Sequence, residues 1–378
     1  MVKFINLRGK IFIIILAVIG CVEPYYPPAI SELANVLVVD GFINSTESSV
    51  TVKMTFASSI VEDSGIERAV TGALVQIEDE ADNVYTLNET SNGLYNLMNL
   101  NLGMSKKYRL SISTSAHKQY YSEFIRLTSC PSIDSITWKP SIQSPGININ
   151  VNTHDDSGNT RFYQWTFEET WEYTSRYGAS MKKEQGVVLP NDLNVSRCYI
   201  SKSSTEILVA SSDGLVSDAI RNHSLVFIPV RSQKVSHKYS ILVKQRALTR
   251  EAYNFWVQLK KSTESLGSLF DPLPGQVLGN LYSNTDPGEP VLGYFSGGET
   301  SEQRIFVHIS DLPNELRLSP IINCGVDSMG FAVIQNYPDM FLIGTAGNPP
   351  NVYVTSSEKN CMDCRDDGGT LTRPEYWN

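Results

Sequence analysis

The chain has 378 residues, with 40 acidic and 31 basic side chains, a formal charge of −9, and 41% hydrophobic residues. That length and apolar share suffice for two or three domains with real cores, and the acidic balance argues against a nucleic-acid partner, whose footprint is a basic patch. Charged residues are only 19%, while Gly, Pro, Ser, Thr and Asn abound, a mix suited to β-rich extracytoplasmic proteins more than to helical cytosolic enzymes.

Residues 1–20 read as a targeting segment. Lys3, Arg8 and Lys10 form a basic start, Ile11 to Ile19 is a nine-residue apolar core, and Gly20 precedes Cys21. Nine apolar residues are too few to span about 30 Å of hydrocarbon as a helix, so this is a signal peptide and not a membrane span. A small residue directly before cysteine matches a bacterial lipobox, in which the Cys21 thiol is acylated and the chain is cut after Gly20. Each buried methylene of such acyl chains adds about 0.8 kcal/mol, and several chains on one residue hold a protein to the bilayer. Removal of the segment takes the charge from −9 to −12, since it holds three cations and no anion. Val22 is not the aspartate that retains many lipoproteins in the inner membrane, so the outer membrane is the expected address, its face undetermined. Residues 21–34, with Pro24, Pro27 and Pro28, read as a stiff tether.

Two regions of short strands follow, 35–129 and 130–378. In the first, Val50 to Phe56, Gly72 to Glu78 and Lys107 to Ser113 alternate apolar and polar residues and are broken by Gly, Asn, Asp and Ser, the pattern of a β-sandwich. Its text resembles prealbumin-like and Ig-like modules. In the second, Ile133 to Trp138, Ile147 to Val151, Arg161 to Phe167, Leu225 to Val230 and Tyr239 to Gln245 read as strands of a larger sandwich of Ig or fibronectin type. One helix is predicted over 250–265, with Thr249 as N-cap and Ala252, Phe255, Trp256 and Leu259 forming its apolar face. The fold class is mainly β, two sandwich modules with an inserted helix.

Five cysteines remain after Cys21. In an oxidising envelope they should pair, and bridges that tie Cys361 and Cys364 to Cys198 and Cys324 would fasten the tail to the second module, leaving Cys130 over. A zinc site would need four ligands, and only one CxxC is present; a redox pair would need a CxxC at a helix start in a βαβ unit. No GxSxG, HExxH, Walker loop or GxGxxG occurs, so no catalytic residue, metal ligand or cofactor is assigned. His154 to Asn159 has the look of an acidic calcium loop but lacks the bidentate glutamate, and reads as a turn. Alternation places Trp165 and Trp171 on one face of a strand, and with Glu169 among the nearby Glu168, Glu169 and Glu172 they are the candidate contacts for a sugar or a partner, by stacking and hydrogen bonding, with core packing as the other reading. Asp134-Ser135-Ile136 and Asp327-Ser328-Met329 are similar to Asp-Ser-apolar O-glycosylation sites.

A longer set of motifs carries a family likeness: Gly267 to Pro272, Gly279-Asn280-Leu281, Val291 to Phe295, Arg304-Ile305-Phe306, and the tail Cys361 to Thr370 with Arg373-Pro374 and Trp377. With Trp165, Glu169 to Trp171 and Tyr239 to Gln245, the chain resembles the Bacteroidota outer-membrane lipoprotein family of domain of unknown function 4249. The resemblance implies an outer-membrane lipoprotein, with a TonB-dependent outer-membrane receptor as partner beside the lipid bilayer, and it supplies no catalytic residues. The expectation is a non-enzymatic accessory of a TonB-dependent transporter, in ligand capture or receptor docking. The alternatives are a structural or assembly factor of the outer membrane, and an envelope hydrolase with a carboxylate site around Glu169.

Overall fold

The computed structural model describes residues 36–57, 68–141, 144–264 and 277–377. The signal segment, Cys21, the tether and the Gly267 to Pro272 motif lie outside the described residues. The main elements in chain order are β1 (Leu37–Asn44), β2 (Ser49–Phe56), β3 (Leu74–Asp79), β4 (Leu94–Leu97), β5 (Lys107–Ser113), β6 (Gln119–Ser122), β7 (Ile133–Ser141), β8 (Gly146–His154), β9 (Phe162–Thr174), β10 (Arg197–Ser203), β11 (Ala219–Pro229), β12 (Lys238–Ala247), α1 (Arg250–Glu264), β13 (Leu281–Ser283), β14 (Val291–Gly298) and β15 (Thr300–His308).

The first sandwich packs a sheet of order β14-β1-β2-β4 on one of order β13-β6-β5-β3. Alternation drives it: Val50, Val52 and Met54 on β2 and Tyr108, Leu110 and Ile112 on β5 point inward and are fully buried, while their neighbours face out. Sequence patterning placed this module within 35–129, and the structure corrects that boundary. Leu281, Val291 and Phe295, far along the chain, belong to the same core, and β14 runs parallel to β1 from Leu37–Val291 to Asn44–Gly298. A parallel neighbour needs a long crossover, and here the chain between β1 and β14 holds the other strands of the first sandwich and all of the second sandwich but β15. Periodicity reports which face of a strand is apolar, not which distant strand it will join.

Asn280 fixes this junction. Its buried amide donates to the Phe295 carbonyl (2.7 Å) and accepts from the Phe295 N–H (2.8 Å), extending a backbone ladder with a side chain.

The second sandwich opposes a sheet of order β7-β8-β11 to one of order β10-β9-β12-β15. Its core runs from Ile136, Ile149 and Ile228 on one sheet to Tyr163, Trp165, Tyr239 and Val243 on the other. Helix α1 begins as predicted: the Ala252 N–H donates to Thr249 Oγ1 (3.2 Å), an N-cap bond. Its buried Ala252 and Phe255 pack on Phe162 of β9 and Tyr294 of β14, so the helix is wedged against both sandwiches. The mainly β architecture, with one long helix among the described residues, is therefore observed.

A smaller lobe completes the described chain. The hairpin Met181–Glu184 and Val187–Pro190, turned at Gln185 and Gly186 with φ of 51° and 81°, pairs with Met340–Leu342. The strands Val326–Gly330, Val352–Ser356 and Gly344–Ala346 form a second small sheet, and Met329, Ile334 and Leu342 are the lobe's core.

Candidate functional site

The strand residues expected to meet a ligand are placed inside the protein. Trp165, Glu169 and Trp171 do share one face of β9, but that face is the core: they are 0%, 5% and 5% exposed. Trp165 stacks near His223 and donates its indole N–H to Gln245 Oε1 (2.8 Å), while the Gln245 amide donates onward to the Pro131 carbonyl (2.8 Å) and Thr153 Oγ1 (3.0 Å). Glu169 has both oxygens engaged, by Tyr239 O–H at 2.6 Å and Lys234 Nζ at 2.5 Å. Burial and the adjacent Glu169 carboxylate push the Tyr239 phenol well above its ordinary range. The Lys234 ammonium also lies over the Trp171 ring at 5.5 Å. This is a closed polar brace that ties the turn Gln233–Val235 to β9. It corrects the contact-site reading, because a β-strand between two layers hides the face on which its aromatics alternate.

The tail cysteines pair as Cys198–Cys364 and Cys324–Cys361, with Cys130 free, so adjacent members of the CxxC reach different partners. Cys130 sits at the junction of the two sandwiches, and burial pushes its thiol up to about 11. Such a thiol is protonated and unreactive at neutral pH. Arg365 bonds Asp363 in a fork, Nη2 to Oδ2 at 2.6 Å and Nε to Oδ1 at 2.9 Å, which closes the turn that carries Cys364. Beyond it, Trp377 is buried against Tyr199 and Phe306, and the Tyr376 hydroxyl is 2.9 Å from Thr170 Oγ1.

Two surface depressions stand out. One, of about 840 Å³, is polar and lies at the ends of β8 and β11, lined by Asp134, His154, Asp155, Asp156, Arg161, Asp218 and Arg221. His154 Nδ1 is 2.7 Å from Asp134 Oδ1, and the Asp134 and Asp156 carboxylates raise the imidazole pKa. Asp155 spends its oxygens on the N–H and hydroxyl of Ser157 and the Thr160 N–H, which makes 154–159 a turn. Among the described residues no His, Cys, Asp and Glu side chains group as metal ligands. Ser135 at this rim accepts a bond from Asn152 Nδ2 (3.1 Å).

The other depression, of about 530 Å³, is a groove in the smaller lobe. Leu193, Tyr337, Met340, Phe341 and Met362 supply apolar surface, the cations are Lys182, Lys183, Lys359 and Arg365, and the anions are Glu184, Asp339, Asp363 and Asp366. Beside it the hairpin strand Val187–Pro190 stands at the edge of its sheet, with Val187 55% and Leu189 42% exposed. Sequence reasoning missed this lobe's surface. The Gln185-Gly186 turn was its legible signal, a two-residue connection that favours positive φ.

Fold and surface define a mainly β, two-sandwich protein with a disulfide-tied lobe. The chain belongs to the family described as Domain of unknown function (DUF4249), whose model matches residues 22–304. The match ends within β15, so Cys324, Cys361, Cys364 and the tail motif lie beyond it, although those tail residues formed part of the likeness read from the sequence. Among solved structures, a two fibronectin type-III domain segment from chicken tenascin is 11% identical, covering 56% of this chain and 90% of that one, with a TM-score of 0.14. A search of curated proteins finds no match.

Proposed function

We propose that this chain is a non-enzymatic lipoprotein of the outer membrane, held by acyl chains on Cys21, that docks on a TonB-dependent receptor as its accessory. The observation that carries the reading is the free outer edge of the strand Val187–Pro190, with Val187 and Leu189 turned to solvent. An edge strand offers its free N–H and C=O groups to another chain, and exposed apolar side chains beside it supply contact area. The edge sits on a lobe whose tail is stapled to the second sandwich by the Cys198–Cys364 bridge, so it can meet a partner without first paying to become ordered. No helix among the described residues is long and apolar enough to cross a membrane. In this reading the lipid on Cys21 supplies the attachment.

The test is a mild-detergent pull-down from outer membranes of the native host, using the lipidated chain as bait. A TonB-dependent barrel should co-purify with the wild type, and Val187→Lys with Leu189→Lys should lower its recovery at least fivefold without lowering the melting temperature. A barrel recovered equally with the double variant, or no barrel at all, would sink the proposal.

A further inference from the structure

Lys183 is carried inward by the strand Met181–Glu184 and is only 4% exposed, yet it lines the groove of the smaller lobe. Its ammonium donates to the backbone carbonyls of Tyr337 and Gln335, the latter at 3.3 Å. Those carbonyls satisfy two of its three N–H bonds but do not neutralise the charge. Among the described residues no carboxylate lies within ion-pair distance of the Lys183 Nζ. Of the groove's four carboxylates, Glu184 is paired with Lys182 at 2.6 Å and Asp363 with Arg365, Asp339 accepts the Gln185 N–H at 3.1 Å, and Asp366 is exposed to solvent. A buried cation without a counter-charge is costly, and an anion delivered from outside would offset that cost.

We propose that this groove binds a small hydrophobic carboxylate, with the acid on the Lys183 side and the apolar body against Met340, Phe341 and Met362. The volume of about 530 Å³ lies in the range of small-molecule sites, which are mostly apolar with a few placed polar groups. Two methionines in the wall suit an apolar body of variable shape, because the thioether chain is unbranched and adapts to what it meets. Lys359 at the rim likewise has no carboxylate at ion-pair distance among the described residues and adds to the attraction for an anion. A free small acid is the occupant argued for, on size and on Lys183, the groove's buried charge without an ion-pair partner among the described residues. The inference stands apart from the docking proposed above, since it uses the groove and not the exposed edge.

The experiment is calorimetric titration of the full chain, disulfides formed, with 4-phenylbutyrate and with 4-phenylbutanol. The acid should bind at least tenfold more tightly than the alcohol, and added salt should weaken only the acid. Lys183→Gln keeps N–H donors for the two carbonyls and removes the charge, and it should bring the two ligands within twofold of each other. Should that variant fail to fold, the wild-type acid-to-alcohol ratio and its salt dependence decide alone. Equal affinity for acid and alcohol, no binding of the acid, a preference unchanged in a folded Lys183→Gln, or tighter binding of a peptide ending in the same aryl acid would each overturn the proposal. None of these outcomes bears on recovery of a barrel in the pull-down.

Discussion

The Val39 carbonyl and Gly293 face each other across the parallel pair β1–β14 so closely that a Cβ at position 293 would stand 1.8 Å from the Val39 oxygen. Gly293 also has φ of +107°, a conformation open to glycine and strained for other residues. Its own carbonyl lies equally close to Gly279, where an added Cβ would meet it at 1.6 Å. These two glycines permit the late-arriving strand to close the first sandwich.

Gly293→Ala should therefore lower stability by about 3 kcal/mol or more, from backbone clash and strain together. Urea unfolding followed by tryptophan fluorescence measures it. Gly72→Ala is the comparison: Gly72 has positive φ of 67° but nothing within 4 Å of an added Cβ, so it should cost less than Gly293→Ala.

Glu169→Gln should destabilise by about 2–3 kcal/mol, because it leaves the Lys234 ammonium without its carboxylate under partial burial. Lys234→Met should cost at least as much if the buried Glu169 charge is then uncompensated, and Glu169→Gln with Lys234→Met should recover part of the loss. A double-mutant cycle in urea reads the coupling directly. Additive losses would mean that the brace contributes little.

The two disulfides should contribute unequally. Cys198–Cys364 spans 166 residues and Cys324–Cys361 spans 37, and closing the longer loop removes more entropy from the unfolded chain. Paired Cys→Ser replacement should cost about 2–5 kcal/mol in each case, with the larger drop in melting temperature for Cys198–Cys364. Thiol titration supplies a companion test. Cys130 should react slowly in the native protein and fast in urea, and a second thiol in the mature chain would show that Cys21 carries no lipid.

Stability should fall off at both ends of the pH range for opposite reasons. Asp79 is held well below the usual carboxylate range, first by Lys106 (2.7 Å) and then by Asn83 and the N–H groups of Asn83 and Ala81. Its depressed pKa stabilises the fold above the unfolded value of about 3.9, and that gain is lost as pH falls from there toward the folded value. His154 has the reverse sign. Asp134, then Asp156, raise its pKa, so its contribution is complete below the unfolded value of about 6.5 and is lost as pH rises through the folded one. This exposed pair should produce only a shallow decline. Urea midpoints against pH should show Asp134→Asn removing the alkaline decline alone and Asp79→Asn flattening the acid limb alone.

The strands were legible where a single period sufficed. Val50 to Phe56 and Lys107 to Ser113 alternate because one side meets a core and the other water, and Thr249 announces α1 because its hydroxyl is an acceptor for one of the helix's first N–H groups. Alternation in the sequence puts Trp165 and Trp171 on one face, but it does not say whether a second sheet covers that face. The groove was not legible at all: Lys183, Met340 and Met362 come from three separate segments, and nothing local marks them as neighbours.

By itself the sequence determined the mainly β class, the start of α1, the four cysteines that pair and the one that does not. These follow from periodicity, capping chemistry, an odd thiol count and the place of Cys130 at the junction of the two modules, all of which are local or countable. Tertiary structure decided that β14 joins β1, that Cys198 bonds Cys364 and not Cys361, that Trp165 and Glu169 are covered, and that Lys183 is buried without a carboxylate. Each of these depends on which distant surfaces exclude water together, and that is a property of the packed chain.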